Sequence, residues 1–152
     1  MSAVIYGVAS AFGNAKTEVV DYVDSLTDLT AAMHTGTGDF GDLRQEIDNR
    51  VVPALQRLSR LSGANVGESL DAMTRGVRAF TSPDTDQVAR ERVGIKTAEV
   101  ANQLAVITGG DVKDKAGDLI AIGSAFGFTG EQLSQVTDAI AHARNMGGDL
   151  NQ

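Results

Sequence analysis

From Ile5 to Met33 the apolar residues recur three and four apart: Ile5, Val8, Phe12, Ala15, Val19, Tyr22, Leu26, Leu29 and Met33. That spacing keeps one stripe on one face of a helix. Sustained over this length, it predicts a helix packed lengthwise on another helix. Gly7 and Gly13 weaken the start, each by roughly 1 kcal/mol relative to Ala. The opposite face carries Glu18, Asp21, Asp24 and Asp28 and reads as a solvated acidic stripe. His34-Thr35-Gly36-Thr37-Gly38 is a turn, and a second helix follows with Asp39 or Asp42 as its N-cap. Its apolar set is Leu43, Ile47, Val51, Ala54, Leu58 and Leu61, ending at Ser62-Gly63. Pro53 lies inside this run and removes the bond to the carbonyl of Asn49, so a kink or break is expected there. Arg50, Arg57 and Arg60 give this helix a basic side, read as surface charge or as partners for the acidic stripe.

Asn65, three residues ahead of Glu68, predicts the cap of a third helix with the stripe Val66, Leu70, Met73, Val77 and Phe80. Ser82-Pro83 fits the N-cap and first position of a fourth. That helix carries Ala89, Val93, Val100, Leu104 and Ile107 on one face and stops at Gly109-Gly110. From Asp111 to Asp149 the pattern is two short amphipathic helices joined by a bend. Val112, Ala116, Leu119 and Gly123 line the first, with Ile120 beside them, and Leu133, Val136, Ile140 and Ala143 line the second. Gly127 is the expected φ > 0 residue of the bend. Thr129 and Gln132 form a capping box, and Phe128 and Leu133 a hydrophobic staple across it. Gly147-Gly148 supplies the final stop.

No run of β-branched residues alternates cleanly with polar ones, so the fold class is all-α. The expected architecture is a long antiparallel helical hairpin followed by three shorter amphipathic helices, as a bundle or an extended array. Residues 1–62 form the hairpin, an oligomerising element, and residues 63–152 an Ala- and Gly-rich three-helix segment. The two parts could be one continuous domain.

Composition narrows the function classes. Of 152 residues, 42% are hydrophobic and 22% charged, which suits a folded chain. Aromatics make up only 5%, Trp is absent and Gly numbers 17, so helices should meet closely through small residues. That weighs against a deep small-molecule pocket. Cysteine is absent, which removes disulfides, thiol nucleophiles and thiolate metal sites. The net charge of −7 disfavours nucleic acid and anionic membranes as partners. It is uneven: −5 over residues 1–43, +2 over 44–96 and −4 over 97–152, a distribution suited to contacts between copies or segments. The N-terminal apolar run has the length of a signal h-region, but no Lys or Arg precedes it. It is too short to span a bilayer and reads as the start of a helix, so no stable membrane span is expected.

Candidate chemistry is sparse. His34 and His142 are far apart and neither has a second ligand at metal spacing, apart from Asp138 four residues before His142. No G-x-S-x-G elbow exists. Gly36-Thr37-Gly38 lacks the preceding strand and third glycine of a phosphate loop. Asp111 and Asp114 sit where they offset a helix dipole. The last two helices resemble a helix-turn-helix in outline, but the second carries only Arg144 as a cation. No catalytic residue, cofactor site or metal site is expected, and the protein is read as a non-enzyme.

The last segment, GSAFGFTGEQLSQVTDAIAHARNMGGDLNQ, resembles a unit of tape measure proteins from tailed-phage tails. There, Ala-rich helices alternate with a small-Gly-Phe-(Ser/Thr)-x-(Asp/Glu)-(Gln/Glu)-(Leu/Ile) segment and close on Gly-Gly-Asp-Leu. The matching positions are Phe126, Gly127, Phe128, Thr129, Glu131, Gln132, Leu133, then Gly147, Gly148, Asp149 and Leu150. LSRLSGANVGESLDAMTRGVRAF is similar in style, so the resemblance covers residues 58–152. It implies a structural virion protein acting through helix packing with itself, as a homo-oligomer, and with other tail proteins. Tape measure proteins usually run to many hundreds of residues, and a helix advances only about 1.5 Å per residue. The resemblance therefore implies a part, a processed product or a short virion protein of the same style. The alternative is a small helical adaptor or regulatory module that binds a partner helix in a groove.

Overall fold

The computed structural model of the protein describes residues 22–36, 38–127, 132, 133, 135 and 138. Residues 22–33 are helical (α1). A helix then begins at Phe40–Glu46 (α2), passes through a π-helical turn at Ile47–Val51 and continues as Val52–Ser62 (α3). Val66–Phe80 (α4), Gln87–Thr108 (α5) and Val112–Phe126 (α6) follow. Among the described residues there is no strand, and no helix is long and apolar enough to cross a membrane.

The helix boundaries follow local chemistry. Asp39 accepts from the Asp42 N–H at 2.9 Å, and Asn65 from the Glu68 N–H at 3.0 Å, each satisfying an otherwise unpaired first-turn donor. Ser82-Pro83 is not the cap of α5. Ser82 to Thr85 closes a turn of its own, with the Thr85 N–H donating to the Ser82 carbonyl at 3.0 Å. Asp86 caps the helix instead, accepting from the Ala89 N–H at 2.7 Å. At 22 residues α5 is not one of three short helices but a central one. It packs on α3, α4 and α6. Small residues (Gly94, Ala98, Ala101, Ala105) buried along it allow this. Leu133, Gln135 and Asp138, beyond the bend, are also helical.

The expected disturbance near Pro53 takes the form of the π turn, and the helix does not break. The Val52 N–H bonds the carbonyl of Ile47, five residues back. The turn widens just before the residue that has no N–H to give. A π turn inserts one residue relative to an α-helix, so it rotates everything after it by about 100°. Leu43, Ile47 and Val51 are buried as the pattern requires. After them the inward face is Val52, Leu55 and Ser59, not Ala54, Leu58 and Leu61. Ala54 and Leu58 are half-buried, and Leu61 is 64% exposed. The expected stripe is therefore one residue out of phase beyond Val51.

The main core gathers Leu26, Leu29 and Met33 of α1, Leu43, Ile47 and Val51, and Leu70, Met73 and Val77 of α4, with the alanines of α5. At two places a side chain of one of the helices α4 and α5 rests on the bare glycine backbone of the other. A Cβ placed on Gly76 would lie 2.1 Å from Thr97 Oγ1, and one on Gly94 would lie 2.6 Å from Met73 Cγ. Only glycine permits that approach.

Candidate functional site

The expected protein-interaction seam and the expected helix bend are two separate places. Of the seam, Ile5, Val8, Phe12 and Val19 lie outside the described residues. Leu26, Leu29 and Met33 are buried, and Tyr22 is half-buried against the same core. Asp24 and Asp28, on the other face of α1, are exposed. The Tyr22 hydroxyl donates to Asp48 Oδ1 in the π turn. Burial, then the hydrogen bond and charge of Asp48, pushes the Tyr22 phenol up to about 12, while the charge of Arg44 opposes the rise. A phenol held protonated in this way is a tether between α1 and the π turn.

At the bend, α6 ends on Gly127 with φ 67°, the left-handed value expected of it, and the Gly127 N–H bonds the carbonyl of Gly123. One helix running straight through is thereby ruled out. Phe128 and Thr129, the other halves of the staple and capping box, lie outside the described residues. Gln132 is half-buried. Leu133 is fully buried in a second cluster with Val100, Leu104 and Leu119, with Phe80 packed on it. Phe126, just before the bend, is 73% exposed.

Arg50 makes its ion pairs with Glu46 and Glu91 and, among the described residues of the stripe, none with Asp24 or Asp28. Its Nη2 lies 2.9 Å from Glu46 Oε1 and 2.6 Å from Glu91 Oε1, and its Nη1 donates to Glu91 Oε2 at 2.8 Å. The two-pronged contact ties the π turn to α5, and both carboxylates raise the guanidinium's affinity for its proton. Arg57 and Arg60 are exposed.

Two polar constructions were not legible in the sequence. Ser59 Oγ and Ser69 Oγ lie 2.6 Å apart, and Asn102 Nδ2 donates to Ser69 Oγ at 3.0 Å. Ser62 Oγ donates to Asn102 Oδ1 at 2.6 Å, which links α3, α4 and α5 through buried groups. Arg90 of α5 donates to four carbonyls: Ala32 at 3.0 Å, Thr85 at 2.9 Å, Ser82 at 3.2 Å and Pro83 at 3.3 Å. It pins the end of α1 to the α4–α5 turn. Single Ser, Asn and Arg residues give no periodic signal, so only contact shows these roles.

An open groove of about 400 Å³ lies between Asp24 and Asp28 of α1, Glu68 and Asp71 of α4, and Lys113 of α6. Ser25 Oγ donates to Asp71 there at 3.4 Å. Among the described residues no group of three or more His, Asp or Glu is placed to hold a metal ion. His34 Nε2 instead meets the Gly38 carbonyl at 3.2 Å across its own turn. No family model matches the chain, and no curated protein or solved structure shows significant similarity to it.

Proposed function

We propose that this protein is a structural component of a tailed-phage virion, tape-measure-like, which acts by helix packing with itself and with surrounding tail proteins. The observation that supports the reading is the seam. Tyr22, Leu26, Leu29 and Met33 face the core, and the same spacing runs back through Val19, Phe12, Val8 and Ile5. A stripe of that length is the pattern by which one helix packs along another, and in this reading its partner is a second copy or a tail protein. The bend at Gly127 and the capped helices before it match the grammar on which the phage resemblance rests.

Sedimentation of the full chain at micromolar concentration tests the packing role. Reversible self-association is expected, and Val8→Asp with Val19→Asp should abolish it while helicity is retained. A chain that stays monomeric throughout removes the self-packing. Peptide mass spectrometry of purified tailed particles whose genome encodes the chain tests the virion role. Its absence from those particles removes that part.

A further inference from the structure

The turn from α3 into α4 separates two hollows of different charge. The open groove of about 400 Å³ takes Asp24 and Asp28 from α1, and Glu68 and Asp71 from α4. Four carboxylates against the single cation Lys113 leave it a formal charge of −3. A second, more open hollow of about 330 Å³ is lined by Arg60 of α3, with Gln56 and Ser59 beside it. Asn65 and Gly67 line the first and Ala64 and Val66 the second, so the two flank the turn on different sides.

Neither charged surface is neutralised within the chain. Asp24 and Asp28 are exposed, as are Arg57 and Arg60, and none of the four forms an ion pair among the described residues. Arg57 stands about one helical turn before Arg60, which puts both guanidinium groups on one side of α3. Because the two hollows face different ways, a chain's own arginines do not fill its groove. Those of another copy meet no such barrier. Residues 44–96, which hold these arginines, are net +2 in a chain of net −7, so the chain itself carries the complement of its acidic face. Carboxylates on two helices, spread along an open groove, suit the planar fork of a guanidinium. Among the described residues no three acidic or histidine side chains are placed to hold a metal ion instead.

We propose that the groove receives the Arg57 and Arg60 face of a second copy. This contact, which rests on the self-packing reading for its partner, is polar and separate from the apolar seam. Exposed ion pairs add little strength, but they steer and orient an encounter. The seam therefore holds the copies together and the groove aligns them.

Sedimentation at submillimolar concentration tests the contact in a full chain carrying Val8→Gln and Val19→Gln, which break the seam without adding charge. Weak association is expected in low salt, and it should weaken by about tenfold in high salt, where exposed charges are screened. Asp24→Lys with Asp28→Lys should weaken it by at least about tenfold, and so should Arg57→Glu with Arg60→Glu, because each sets like charges face to face. A one-to-one mixture of these two chains should associate as well as their parent, since lysines now meet glutamates. All four positions are exposed, so helical circular dichroism should be unchanged. If the lysine pair nevertheless unsettles α1, the salt response and the glutamate pair decide alone. Absence of association, indifference to salt, or a mixture as weak as its components overturns the proposal and leaves the seam untouched. An arginine-rich peptide that binds the groove of a chain showing no such self-association makes a foreign basic segment the occupant, and also overturns it. Failure of the seam reads out separately, as a parent chain that stays monomeric at micromolar concentration.

Discussion

Helix α5 is held on two sides by different physics. Along the stretch around Gly76 and Gly94 the α4 contact is apolar and set by shape: Gly76 lets Thr97 in, and Gly94 admits Met73 and Val77. Where α3 and the start of α4 meet it, the contact is polar, built from Ser59, Ser62, Ser69 and Asn102. Shape fixes how near two helices come. Hydrogen bonds fix how each is rotated, because a donor must meet an acceptor in direction as well as distance. The dry side therefore fixes spacing and the polar side fixes register, and the π turn lies on the helix whose register is at issue.

The comparison can be broken hardest on the dry side. Leu26→Asp puts an unpaired carboxylate into the core shared with Met73 and Val77, and should cost several kcal/mol or force the group to hold its proton. Urea unfolding checks this, and an unchanged midpoint would show that α1 is not part of that core. Gly76→Ala comes next. The new methyl meets both Oγ1 and Cβ of Thr97, so a loss of about 1–3 kcal/mol is expected. Thr97→Gly in the same chain should recover much of it, giving a coupling of opposite sign to the single losses.

On the polar side Asn102→Ala should cost about 1–3 kcal/mol, because it strips partners from Ser62 and Ser69 without replacing them. Heteronuclear spectra should place the shift changes on α3 more than on α6. Changes spread evenly over both would mean that the network sets no register. Asp86→Ala lies outside both contacts and loses only the α5 cap, about 1 kcal/mol in thermal unfolding.

The smallest effect at neutral pH belongs to Tyr22→Phe, which cuts the tether to the π turn. Its signature is a pH slope. The folded phenol titrates near 12 against an ordinary value of 10, so its stabilisation is complete below pH 10 and is lost as pH climbs through 12. The parent chain should lose stability across that window, and Tyr22→Phe should lose less. Parallel curves would show that the hydroxyl contributes nothing.

Much of the fold was legible in the residues themselves. The stripes Leu26-Leu29-Met33 and Leu70-Met73-Val77, the caps at Asp39 and Asn65, and the left-handed Gly127 each depend on neighbours within about four residues. Periodicity and capping are local, so the sequence carries them openly. What it could not show was which of two faces α3 turns inward. Periodicity assumes an unbroken 3.6-residue repeat, and one inserted residue at Ile47–Val51 shifts every later position. Pro53 signalled trouble there without saying whether the helix would break, kink or widen. The choice fell to Ser69 and Asn102, residues 7 and 40 beyond Ser62 in the chain, whose bonds exist only once α4 and α5 are in place. The Glu91 partner of Arg50 and the four carbonyls held by Arg90 are of the same kind. Local pattern determined the helices and their ends, and tertiary contact decided their rotation, because a hydrogen bond between distant residues leaves no period in the sequence.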